Sequence, residues 1–130
     1  MKRIGVLTGG GDAAGMNPAI RAVVRTAWGH GAEVIGIRNG WMGLAEGLYQ
    51  TMSPGSVSGI LGQGGTVLRT FRYPEFATEE GTKPVAKTIK KLKLDGMVVI
   101  GGDGSFRGAS KLTKEFGLPV VGVPATIDND

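Results

Sequence analysis

The chain is predicted to fold as an α/β domain: a doubly wound, mostly parallel sheet with helices on both faces, in three layers. Three observations lead there. Apolar runs of strand length alternate with amphipathic stretches of helical length, the order that builds parallel strand–helix–strand units. The first such unit fits in about 36 residues, the expected size. Glycine-rich turns stand where strands pass into helices, at Gly9–Gly15 and Gly101–Ser105.

The elements follow in order. Lys2 to Thr8 reads as a buried strand through Ile4, Val6 and Leu7. Asn17-Pro18 then reads as a helix start, with Asn as cap and Pro where its missing N–H is harmless. Ile20, Val23, Val24, Ala27 and Trp28 follow at helical spacing, and Gly29 to Gly31 ends the helix. Glu33 to Ile37 is the second strand, parallel to the first. Arg38 to Thr70 is the least regular stretch, with a short helix expected over 56–61 and Gly64-Gly65 as punctuation. From about Thr78, residues Val85, Ile89 and Leu92 mark an amphipathic helix ending near Leu94, with Pro84 expected in its first turn. Met97 to Ile100 is a continuous apolar run, as suits a central strand covered on both faces. Phe106, Ala109, Leu112 and Phe116 carry the next helix, and Pro119 to Val123 the last strand.

Composition narrows the function classes. Of 130 residues 24 are glycine, far above the usual share of roughly 7 %, yet no Gly-X-Y period exists, so collagen is excluded. A hydrophobic content of 41 % argues against disorder. One domain over 1–130 is the natural count. No apolar run approaches the roughly 18 residues of a membrane span, and the stretch behind Met1-Lys2-Arg3 ends at Gly9, too short for a signal peptide. The absence of cysteine excludes disulfides and thiolate metal sites. A cytoplasmic location is expected, with no membrane partner. The formal charge of +4 owes much to Lys83, Lys87, Lys90, Lys91 and Lys93, which read as a solvated helix face. Without interleaved aromatics or a helix-turn-helix pattern, no nucleic-acid partner is expected.

In doubly wound sheets ligands bind beyond the carboxyl ends of the strands. Three segments fall there. The first, Gly9 to Gly15, lets backbone N–H groups converge on an anion, helped by the following helix dipole; the alternative is a tight packing turn. It fits neither the dinucleotide fingerprint nor the P-loop. In the second, Gly101 to Ser105, Asp103 can hold Mg²⁺ beside a polyphosphate, or cap the helix; Ser105 has the same capping alternative. In the third, Thr126 precedes Asp128 and Asp130, two carboxylates on one side of an extended chain. One can act as general base while the other works near metal or substrate; the alternative is a solvated acidic tail. An anion loop, a metal-type aspartate and a candidate base at one sheet edge together point to phosphoryl transfer.

At these residues the sequence resembles the 6-phosphofructokinases of the bacterial ATP-dependent type. The match is carried by Gly9 to Asn17, Gly64-Gly65-Thr66, Gly101 to Ser105 and, most specifically, Pro124-Ala125-Thr126-Ile127-Asp128-Asn129-Asp130. NAD kinases and lipid kinases share the second glycine motif but not the last one. The resemblance implies a Rossmann-like fold, with ATP as co-substrate, Mg²⁺ as cofactor and fructose 6-phosphate as acceptor. It implies that Gly11 contacts the ATP phosphates, Arg72 reaches the transferred phosphate and Tyr73 sits beside the nucleotide. Asp103 would bind Mg²⁺, and Gly102, Gly104, Ser105 and Gly108 would shape the nucleotide pocket. Thr126 would contact sugar and phosphate, Asp128 would deprotonate the sugar 1-hydroxyl, and Asp130 would help place substrate and metal. Trp41 stands where the family often has a tyrosine near adenine, and either stacks there or only packs. Arg21 and Arg25 match an effector-site pair, or form a solvated helix face.

Two positions concern the phosphoryl donor. In the family Gly104 leaves room for the α-phosphate, whereas Asp there goes with pyrophosphate. Ala125 matches neither the usual Gly of ATP enzymes nor the Lys of pyrophosphate enzymes, and it adds no cation, which favours ATP. The family's subunit is much longer, so the chain is expected to be its amino-terminal nucleotide-binding portion, incomplete relative to the full subunit. Alone it is expected to bind nucleotide weakly and to turn over poorly or not at all. A homo-oligomer is expected. The alternatives are a pyrophosphate-dependent fragment and a self-associating α/β module without ligand, its incomplete sheet leaving edges that invite pairing.

Overall fold

A computed structural model describes residues 2–10, 16–59 and 66–125. Five strands form one sheet in the order β3-β2-β1-β4-β5, where β1 is Arg3–Thr8, β2 Glu33–Ile37, β3 Tyr49–Met52, β4 Gly96–Gly101 and β5 Val120–Pro124. The pairs β1–β2, β1–β4 and β4–β5 are parallel, and β2–β3 is antiparallel. The helices are α1 (Met16–Gly29), α2 (Gly40–Glu46), α3 (Glu79–Leu92) and α4 (Asp103–Phe116). The expected class is therefore correct, with one antiparallel edge.

Alternation along the strands divides the core. On one face Leu7, Ile35, Met97 and Val99 pack with Leu44 of α2, Val85 and Ile89 of α3, and Leu112 of α4. On the other face Val6, Val34 and Ile100 pack with Ile20 and Val24 of α1 and with Met52 and Leu68. The three layers follow from this two-sided burial. Among the described residues no helix is long and apolar enough to cross a membrane.

Several expectations change. Asn17 does not cap α1. It lies inside the helix, fully buried, and its side-chain oxygen accepts a hydrogen bond from the Val67 N–H at 2.6 Å. The stretch after Arg38 is more regular than its pattern implies, for it holds α2 and β3. The short helix expected over 56–61 is instead a 3-10 turn at Pro54–Val57, and residues 60 and 61 lie outside those described. β5 starts one residue later than expected.

Pro84 sits within α3, beyond its first turn, since Thr78 is the N-cap and accepts from the Gly81 N–H at 3.0 Å. There it withholds a donor from the helical ladder and crowds the preceding turn. Pro84→Ala is expected to stabilise the fold by about 1–3 kcal/mol, read as a rise in the urea midpoint at unchanged slope.

Candidate functional site

The chain passes from β1 outward to β2 and β3, then returns to place β4 on the other side of β1. The reversal lies between β1 and β4, where doubly wound sheets open a ligand crevice. The ends of these two strands touch. The Gly9 N–H donates to the Ile100 carbonyl at 2.9 Å. A Cβ on Gly101 would lie 2.7 Å from the Gly9 carbonyl oxygen, and one on Gly9 would collide with Ser105 Oγ. Glycine is required at both positions by this close approach.

A cleft of about 700 Å³ opens at this point, lined by Gly10, Trp41, Phe71, Arg72, Tyr73, Pro74, Arg107 and Gly102 to Ser105. Its floor is the N-terminus of α4. Gly102 takes the N-cap position, so Asp103 begins the first turn and caps nothing. Neither does Ser105 cap; it lies in the first turn and is buried against Gly9. The N–H groups of this turn have no acceptor within the helix, and the dipole favours an anion beside them. Asp103 is exposed toward the cleft. Opposite it stands Arg72, also exposed, on the chain segment leading to α3.

The far wall is aromatic. Trp41 is 8 % exposed and stacks on Phe76, with ring centroids 5.3 Å apart. Lys111 covers the Phe76 ring at 4.8 Å from its centroid and donates to the Phe76 carbonyl. Tyr73 keeps its ring in the cleft while its hydroxyl donates to the Gly81 carbonyl of α3 at 2.9 Å. A second hollow of about 340 Å³ continues past Trp41, Tyr73, Gly104 and Arg107 toward Gly108 and Lys111. Gly108 lets the indole in: a Cβ there would lie 2.7 Å from the Trp41 ring. Gly102 and Gly104 face open space, with only the tip of Arg107 3.9 Å from a Cβ on Gly104.

The fold and cleft agree with what comparison finds. A family model described as Phosphofructokinase matches residues 3–130. The chain belongs to the phosphofructokinase family. The ATP-dependent 6-phosphofructokinase of Halothermothrix orenii is 58 % identical over the whole chain, which spans 39 % of that relative. The Bacillus subtilis protein of the same name is also 58 % identical, and the chain spans 40 % of it. Among solved structures, Pichia pastoris phosphofructokinase in the T-state superposes on 98 % of the chain with a TM-score of 0.91 and 35 % identity, using 15 % of its own length. A pyrophosphate-dependent phosphofructokinase from Nitrosospira multiformis has a TM-score of 0.83 at 21 % identity over 99 % of the chain and 35 % of its own, which shows a shared fold.

Of the residues expected from the phosphofructokinase resemblance, the structure brings Trp41, Arg72, Tyr73, Gly102, Asp103, Gly104 and Ser105 to the cleft, and Gly108 to the adjoining hollow. Arg21 and Arg25 lie on α1, away from it. Gly11, Thr126, Asp128 and Asp130 lie outside the described residues. Phe71, Phe76, Arg107 and Lys111 were not singled out in the sequence. Arg107 was within reach, because it stands one helical turn after Asp103 and so shares its face. Among the described residues no three acidic or histidine side chains cluster as a metal cage. A single carboxylate beside a helix N-terminus, whose dipole favours an anion, still suits Mg²⁺, which keeps several waters and takes one or two protein carboxylates.

Gly108→Ala is expected to push the indole off Phe76, costing about 1–3 kcal/mol of stability and shifting the tryptophan emission of the folded chain to longer wavelength.

Proposed function

We propose that this chain is the ATP- and Mg²⁺-binding part of an ATP-dependent 6-phosphofructokinase, which transfers the terminal phosphoryl group of ATP to the 1-hydroxyl of fructose 6-phosphate. One observation carries the reading. The cleft at the strand reversal gathers a free helix N-terminus, a carboxylate at Asp103 and a guanidinium at Arg72, beside an aromatic wall. Anion, cation and base-sized apolar surface are the three demands of a magnesium nucleotide. The names of the relatives add the donor.

In this reading the N–H groups of Gly104 and Ser105, with the Gly9–Gly15 turn and Gly11, hold the phosphates. Trp41 and Tyr73 flank the nucleoside, and Gly102 and Gly108 keep its pocket open. Asp103 holds Mg²⁺, whose charge, when it is bound, offsets that of the phosphate oxygens. Arg72 balances the negative charge that spreads over the transferred phosphoryl group. Asp128 accepts the proton of the sugar 1-hydroxyl, that oxygen bonds to the terminal phosphorus, and the bond to the bridging oxygen of ADP breaks. Thr126 and Asp130 orient the sugar. The relatives are much longer than this chain, and further acceptor contacts belong to what they have beyond it. By itself the chain is a nucleotide binder with little or no turnover, because positioning supplies up to about 7–11 kcal/mol of such a barrier. Arg21 and Arg25 are assigned to an effector phosphate, in a homo-oligomeric cytoplasmic enzyme.

Pyrophosphate is the competing donor, since pyrophosphate-dependent enzymes share the fold. The open space at Gly104 favours ATP, whose α-phosphate needs it.

Calorimetric titration with ATP and Mg²⁺ is expected to show binding, and pyrophosphate a weaker response. No heat and no thermal shift at millimolar nucleotide would reject the reading. Asp103→Asn is expected to lower the magnesium-dependent affinity by roughly tenfold or more, the effect of losing a charged partner. In a full-length enzyme carrying this sequence, Asp128→Asn is expected to abolish turnover and leave ATP affinity within about twofold, because the base acts on the acceptor.

A further inference from the structure

The cleft's cationic segment is held by side chains that never reach the cleft. Residues 66–69 make a turn under the end of β1, where the Arg69 N–H bonds to the Thr66 carbonyl at 3.3 Å. Arg69 has φ 67, in the left-handed region. Two other non-glycine residues share that feature among those described. Lys93 ends α3, where such a conformation is usual, and Asn39 is a residue type that tolerates it. Arg69 has neither excuse, so neighbouring structure must hold it.

Three buried polar side chains do so. Asn17 accepts from the Val67 N–H at 2.6 Å. Thr66 Oγ1 accepts from the Leu68 N–H at 3.1 Å. Thr8, fully buried at the end of β1, donates its hydroxyl proton to the Arg69 carbonyl at 2.9 Å. The Thr8 and Thr66 hydroxyls lie 3.1 Å apart. Thr8 has one proton and spends it on Arg69, so Thr66 must be the donor between them. The result is a one-way chain from the Leu68 N–H through Thr66 and Thr8 to the Arg69 carbonyl. Each hydroxyl both gives and accepts, and the carbonyl it ends on belongs to the strained residue.

Arg72 follows three residues later. A change at the Arg69 backbone turns the short span between it and Tyr73, whose hydroxyl is tied to α3, and among the described residues no hydrogen bond or ion pair of the Arg72 side chain fixes its approach to the cleft. We propose that Thr8 is a positioning residue for Arg72: through the Thr66–Thr8 hydroxyl chain it locks the left-handed turn at Arg69 and so directs the guanidinium into the phosphate cleft. The proposal rests on the reading of Arg72 as a phosphate ligand.

The test compares Thr8→Val, nearly equal in shape but without the hydroxyl, with Thr8→Ser, which restores it. Amide spectra of the ligand-free, isotope-labelled chain come first. The resonances of Arg69 to Tyr73 are expected to move in Thr8→Val and to return in Thr8→Ser; if they stay in place in Thr8→Val, the proposal is overturned. Calorimetry with magnesium ATP comes second. Thr8→Val is expected to bind about tenfold more weakly, Thr8→Ser within about twofold of the parent, and Thr8→Val to add nothing once Arg72→Ala is present. Equal weakening by Thr8→Val with and without Arg72 would overturn it, because the effect would then bypass the guanidinium. Should the parent chain bind no nucleotide, the functional reading falls, and the amide spectra still decide whether Thr8 sets the turn. If Thr8→Val does not fold, Thr66→Val breaks the same chain one hydroxyl away, with the same expected and overturning results.

Discussion

The site depends on how closely β1 and β4 end. Two parallel neighbours normally diverge into their own turns as they leave a sheet. Here the turn after β1 remains bonded to β4 through the Gly9 N–H and the Ile100 carbonyl, and Ser105 packs beneath it. That approach has no room for side chains at Gly9 or Gly101. It brings Gly9 and Gly10 beside the open end of α4, so that Gly10 and the first turn of α4 line one cleft. Without it the sheet could still form, since its pairing and its two cores lie deeper, but Gly10 and the first turn of α4 would no longer share a cleft.

The rest of the cleft is built by making side chains serve fold and site together. Trp41 is nearly buried and belongs to the core under α2, yet its edge is part of the cleft wall. The Tyr73 hydroxyl is committed to α3 while its ring stays in the cleft. Lys111 is occupied with Phe76 and with Glu115 at 3.8 Å, so its charge steadies the wall. Side chains tied down this way keep little freedom to lose, which would lower the entropy cost of binding any ligand there.

Much of this was legible in the sequence where one signal ruled. The apolar runs of β1 and β4 and the helical spacing of α1, α3 and α4 leave little choice of element. Sequence reading failed where signals competed. α2 holds glycines at 40 and 43 that speak against a helix, yet Gly43 is there because a side chain would collide with the Arg38 carbonyl. β3 has four residues with one buried, too short and too one-sided to show a period. Asn17 has the chemistry of a cap, and local sequence cannot reveal that its oxygen serves Val67, far along the chain. The cleft residues legible in the sequence are those in glycine motifs or in the family resemblance. Phe76 and Lys111 were missed because their partnership spans 35 residues and is set by tertiary packing alone.

The division of the core has one further consequence. The two apolar clusters are separated by the sheet, and the segment from Leu68 to Phe76 has its first residue in one and its last in the other. It works as a strap across the carboxyl ends of the central strands, buckled at both ends, with Phe71, Arg72 and Tyr73 between. The width of the cleft is thus a differential quantity. It reports how the α1 layer sits relative to the α3–α4 layer, because a shift of either is carried along the strap to Phe71, Arg72 and Tyr73 without any contact between the layers themselves.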